Sequence, residues 1–162
     1  MVNYFMLEEN NVKQAFAPVD MNTAAITGAR ISLAKGNRVA IVIHMGTSTA
    51  AVAQFTLRQH NAASSGTSKD LSVANAYFVK AGSATSFTKV APTVAAALYD
   101  LSTDFAANGG VVVFEVLAED LDVNGNFTHV SVDVADSTAA KLAGAVYVLR
   151  GCEKLPAYSE VL

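Results

Sequence analysis

The sequence predicts an all-β fold: a single-domain β-sandwich of jelly-roll type, or a closed barrel, with eight or nine short strands. Short runs of alternating or continuous β-branched residues recur along the chain, and clusters of Gly, Asn and Ser separate them at regular intervals. Composition agrees: 52% of residues are hydrophobic and 15% charged, against about 25% charged in typical soluble proteins. Disorder requires the opposite balance. At 162 residues the chain is one domain long, and folding hides roughly 69% of the unfolded surface, enough for a core without disulfide or metal. Solenoids are excluded, since no repeat of 20–50 residues is visible.

The first twenty residues lack periodicity, and Asn10-Asn11 and Pro18 interrupt them. They predict an extended N-terminal arm (1–20), followed by the sandwich (21–150) and a C-terminal tail (151–162). Ile31 and Leu33 alternate with Ser32 and Ala34 before a Lys35-Gly36-Asn37 turn. Arg38–Met45 (RVAIVIHM) is nearly continuous apolar sequence, which predicts a central strand buried on both faces. In Ala51–Gln59, Ala53, Phe55 and Leu57 point inward while Gln54, Thr56 and Arg58 point outward. Residues 61–70 (NAASSGTSKD) form a polar surface loop.

Strands follow at Tyr77–Lys80 and Thr85–Val90, joined by a turn at Ala81-Gly82-Ser83. Val94–Leu101 has a run of alanines that favours helix, but its shortness and its place between strands point to strand. After the Asn108-Gly109-Gly110 turn, Val111–Ala118 (VVVFEVLA) reads as a second buried strand. Phe127–Ala135 alternates, with Val130, Val132 and Val134 inward and His129, Ser131 and Asp133 outward. Asp136–Leu142 predicts a helical turn capped by Asp136 or Ser137, and Ala145–Arg150 the last strand.

Charge and motifs narrow the function. A formal charge of −3 argues against a partner chosen by phosphate electrostatics. The N-terminal residues lack a signal-peptide pattern, no apolar stretch reaches membrane-spanning length, and Cys152 has no cysteine to pair with. Synthesis in a reducing cytoplasm is therefore expected. Asp120, Asp122 and Asn124, followed by Gly125, match the first half of a calcium loop. Position twelve is Ser131 rather than Glu, however, so a strand connection with an Asn-Gly turn is the stronger reading.

His44 in a buried strand, His60 at the end of an exposed one and outward-facing His129 lack metal-ligand spacing. Asp100, Asp104, Glu115, Glu119 and Asp120 are scattered acids, and neither a nucleophile elbow nor a phosphate loop occurs. Tyr77, Phe78 and Phe87 have a nearby lysine each, yet eleven Lys and Arg in all favour core aromatics over a nucleic-acid platform. The expectation is a non-enzyme without cofactors.

Two stretches carry a resemblance. One is NTAAITGARISLAKGNRVAIVIHMGTST (22–49); the other runs FEVLAEDLDVNGNFTHVSVDVADS and then AAKLAGAVYVLRG within 114–151. They resemble small virion proteins of tailed bacteriophages. The resemblance implies a capsid cement or decoration protein on the outer shell of the virion. Its partners would be the major capsid protein and further copies of itself, as dimer or trimer, with no nucleic acid and no membrane. Tyr4, Phe5, Met6 and Leu7 in the arm and Leu155, Tyr158 and Leu162 in the tail are the candidate contacts, because apolar side chains on irregular ends gain by docking on a neighbour. A carbohydrate- or receptor-binding module of a phage tail or fibre is the alternative. It is weakened by the absence of Trp and by only 8% aromatic residues.

Overall fold

The computed structural model describes residues 10–48, 53–105 and 108–150. The arm residues Tyr4 to Leu7 and the tail residues Leu155, Tyr158 and Leu162 lie outside this set, as does Cys152.

Two six-stranded antiparallel sheets face each other, so the predicted β-sandwich is observed. The first sheet contains β1 (Asn10–Asp20), β12 (Leu142–Arg150), β4 (Arg38–Met45), β10 (Gly110–Leu117), β7 (Tyr77–Ala81) and β8 (Thr88–Val90), in that spatial order. The second runs β2 (Ile26–Thr27), β11 (His129–Val134), β5 (Gln54–His60), β6 (Ser68–Asp70). In it β3 (Ile31–Ser32) also pairs with β11, and β9 (Leu98–Asp100) with β5. Among the described residues there are thus twelve strands rather than eight or nine. Of the additional ones, β2 and β6 have two or three residues, too few to show a period, and β1 is the segment read as an arm.

Inward residues from both sheets make one core. Val39, Ile41, Ile43 and Met45 of β4, Val112, Phe114 and Val116 of β10, and Ala145, Tyr147 and Leu149 of β12 meet Phe55 and Leu57 of β5 and Val130, Val132 and Val134 of β11. At its centre Phe114 packs on Phe55, Tyr77 and Tyr99, with ring centroids 6.1, 5.4 and 4.8 Å away. Tyr77 thereby packs against the core as expected, whereas Phe78 lies outward on the same strand and Phe87 is 47% exposed, so neither of these is a core aromatic.

The structure places Ser68–Asp70 in strand β6 rather than in the loop, and it buries β10 on one face only; it corrects four further expectations. Asn10–Asp20 is not part of a free arm; it is the edge strand β1, antiparallel to β12 from Asn10↔Arg150 to Asp20↔Leu142. Pro18 is accommodated because the register shifts between Phe16 and Val19, and a bulge on an edge strand needs no ladder donor there. Gly144 lets that bulge lie close, since a Cβ at this position would stand 3.3 Å from the Pro18 ring. Second, 136–141 forms no helical turn. Its backbone is used across the chain instead: Ser137 N–H donates to Met21 O, and Met21 N–H to Lys141 O, both at 2.9 Å. Third, of the proposed strand over Val94–Leu101 only Leu98–Asp100 is strand, with an isolated bridge from Ala96 to Val73. Fourth, β4 is buried on one face, not two: Ala40 and Val42 are half-buried and His44 is exposed.

One polar contact ties the sheets together through the core. The β11 edge is paired with β3 at His129–Val130 and with β2 at Asp133–Val134, leaving a gap between them. Gly28 N–H donates to Val132 O at 3.1 Å, an approach only glycine permits, since a Cβ would lie 2.3 Å from that oxygen. The Val132 N–H donates instead to the Tyr147 hydroxyl of β12, at 3.2 Å. Tyr147 is fully buried, and burial raises its pKa well above the usual phenol value. Tyr147→Phe should therefore strand the Val132 N–H and cost about 1.5 kcal/mol in a urea unfolding curve. An unchanged midpoint would mean that the hydroxyl contributes nothing.

Candidate interaction face

The outward faces of the two sheets differ in chemistry. On the second sheet Thr56, Arg58 and Asp133 face outward, and Arg58 reaches Asp70 at 3.5 Å and Asp133 at 3.6 Å. Gln54 Nε2 donates to Asp100 at 2.8 Å beside them. That is an ordinary solvent face.

Part of this face is covered. Arg30 Nη1 donates to the Ala62 and Ser65 carbonyls at 2.9 and 2.7 Å, holding the 61–67 loop against β5 and β11. Beneath it His60 Nε2 lies 2.8 Å from Ser131 Oγ and Nδ1 2.7 Å from Ser68 Oγ. His60, expected at the end of an exposed strand, is 3% exposed, and Ser131, expected outward in solvent, is 1% exposed. Burial, then the charges of Arg30 and Arg58, push the His60 pKa down to about 4. A hydroxyl beside a neutral imidazole is suited to nucleophilic chemistry, but a serine this deeply buried offers no path to a substrate. The cluster is a structural polar network.

The residues of the candidate calcium loop are likewise turned onto protein donors. Asp120 Oδ2 accepts from Leu117 N–H at 2.7 Å and from Asn75 Nδ2 at 2.6 Å. Asp122 Oδ1 accepts from Gly125 N–H at 3.0 Å, while Oδ2 pairs with Lys69, whose ammonium also lies over the Phe127 ring. Asn124 is exposed on the turn between. Among the described residues no group of three or more His, Cys, Asp or Glu is placed to hold a metal ion. Lys141, nearly fully buried, donates from Nζ to Phe105 O, and burial lowers its pKa.

The outward face of the first sheet is apolar along its middle, with polar and charged residues around it. Residues directly opposite in an antiparallel ladder share a face, so Val146, Val42, Val113 and Phe78 form one continuous row across β12, β4, β10 and β7. Val12, Val148 and Ala40 form part of the row above, and Val111 belongs to the row below. Val146 is 38%, Val12 37% and Leu142 62% exposed. An open groove of about 590 Å³ runs between Phe16, Pro18, Val42, Leu142 and Val146, with Gln14 and His44 among its lining residues. A second groove of similar volume starts on the other side of His44, among Lys80, Gly82, Asn108 and Val111. This face was not among the candidate sites. Its signal was the two continuous apolar runs, RVAIVIHM and VVVFEVLA, whose second apolar side has no covering layer among the described residues.

No protein-family model matches the chain, and no curated protein matches it. Among solved structures, the SPBc2 prophage-derived protein YomS is similar at 11% identity and a TM-score of 0.40, covering 86% of this chain and 93% of that one. A likeness of this strength does not establish a shared role. No helix among the described residues is long and apolar enough to cross a membrane.

Proposed function

We propose that this protein is a structural component of a tailed-bacteriophage virion, most specifically a capsid cement protein that binds the outer shell and stabilises contacts between capsomers. The observation that carries this reading is the apolar middle of the first sheet's outer face, in a sandwich whose first and last described strands are paired. Asn10 opens β1 and Arg150 closes β12, and the two are paired. The segments 1–9 and 151–162, with their Tyr, Phe, Met and Leu side chains, adjoin this pair in the sequence. A protein that works by assembly needs such surfaces and no reaction centre. The groove lining favours this over sugar binding, since Phe16, Pro18, Val42, Leu142 and Val146 supply few of the polar groups that a carbohydrate demands.

Cosedimentation of the purified protein with capsids of its own phage tests the proposal. Saturable binding at a fixed ratio to capsid subunits, with shells more resistant to heat, is expected. Deleting residues 1–9 spares β1 and should weaken that binding at least tenfold while leaving the thermal midpoint of the free protein within a few degrees. Absence of binding by the intact protein would overturn the cement reading. Equal binding by the shortened one would remove the N-terminal contacts from it.

A further inference from the structure

We propose that the apolar outer face of the first sheet is a two-fold interface with a second copy of this chain. The inference uses the face on which the capsid reading also rests, but it is tested without capsids, so the two can fail separately. The outward side of β4 carries Ala40 and Val42 between Arg38 and His44, and beside Val113 and Val146 it leaves an apolar patch that the core does not cover. The edges of the same sheet are poorly suited to pairing. β1 is interrupted by two register shifts and has its Ala15 carbonyl engaged by Ala29 N–H, and β8 has three residues. Association is therefore expected through the face.

The charges on that face select the occupant. Glu115 lies two residues beyond Val113 on β10, and Lys80 lies two residues beyond Phe78 on β7, on opposite sides of the Val113↔Phe78 pair. They are about 13 Å apart along the strand direction. A two-fold axis lying in the interface, along the Val146-Val42-Val113-Phe78 row, sets Glu115 of one copy over Val111 of the other, one strand spacing (about 4.8 Å) from the Lys80 paired with it, and the reverse. It also stacks the row on its own image, with the sheets about 10 Å apart and their strands nearly aligned. This is the self-complementarity that an isologous contact requires.

Other charges on this face fit the arrangement. Arg38 and Arg150 are paired with each other at the far end of the face, beyond the stacked rows. Lys89, opposite Phe78 on the edge strand, is exposed; the axis brings it near its own image at the solvent rim, where like charges cost little. Eight residues of four strands amount to about 500 Å² of projected sheet. That is at the low end for a specific interface, so dimerisation in the micromolar range is expected.

Sedimentation equilibrium of the full 162-residue protein, from low to high micromolar, tests the proposal. A reversible monomer–dimer equilibrium is expected. Glu115→Lys and Lys80→Glu should each weaken it at least tenfold, and the double exchange should restore it. Val113→Asp should abolish it, with circular dichroism reporting whether the fold is kept; the two surface exchanges decide the matter if it is not. A monomer throughout, a trimer, a dimer indifferent to both exchanges, or singles that weaken without rescue by the double would each overturn the two-fold face.

Discussion

Phe114→Ala should destabilise the protein by about 4 kcal/mol, the largest single-residue effect expected here. Phe114 is 2% exposed and stands where the two sheets are held apart by side chains alone. Three other rings close around it: Phe55 from the opposite sheet, Tyr77 from its own, and Tyr99 from β9. Tyr77 and Tyr99 also meet edge-on at 5.3 Å. Removing the shared ring leaves a cavity that none of its neighbours fills without breaking another contact. The Tyr99 hydroxyl donates to Val73 O at 3.2 Å, which pins that ring in place and limits collapse. Phe114→Leu keeps most of the volume and should cost less than half as much. Urea unfolding of the three proteins at one pH measures this. A loss below 1 kcal/mol for the alanine variant would show that the cluster is not the mechanical centre of the sandwich.

How much of this was legible in the sequence depends on how local the cause is. Alternation in 53–57 and 130–134 identified the inward side of β5 and β11 correctly, because a half-buried strand writes its period directly into the residues. β1 was unreadable for the opposite reason. Its residues are poor strand formers, and what makes them a strand is β12, more than 120 positions later in the chain. The burial of His60 and Ser131 depends on Arg30 reaching the 61–67 loop, a contact without any local signature. The candidate calcium residues were visible as a pattern of types. Their side chains are directed by Lys69 and Asn75, which no spacing rule includes. An apolar run such as RVAIVIHM reveals that two faces are apolar, but not which layer covers the second. The terminal contact residues lie outside the described structure, and the apolar sheet face now stands beside them as a candidate contact.

Stability should fall between pH 6.5 and pH 4 by on the order of 2 kcal/mol, and His60 should account for most of it. In the folded protein its pKa is pushed down to about 4 by burial and by Arg30 and Arg58, while an unfolded histidine titrates near 6.5. Between those values the unfolded chain binds a proton that the folded one refuses. The contribution is therefore fully present above pH 6.5, is lost as pH falls toward 4, and does not change further below it. Neighbouring groups modify this slope. His129, also lowered by burial and by Arg30, acts in the same direction. Asp133, raised by burial, gains a proton earlier in the folded state and opposes it. Asp20, Asp100 and Asp122 are all lowered by hydrogen bonds, so their contributions disappear only below the ordinary carboxylate range. Acid unfolding should accordingly proceed in two stages, histidine first and aspartates second. His60→Gln removes the titrating ring and should flatten the first stage while leaving the second in place. Thermal midpoints of both proteins from pH 8 to pH 3 provide the comparison. An identical decline between pH 6.5 and 4 in the variant would assign the acid sensitivity to other groups.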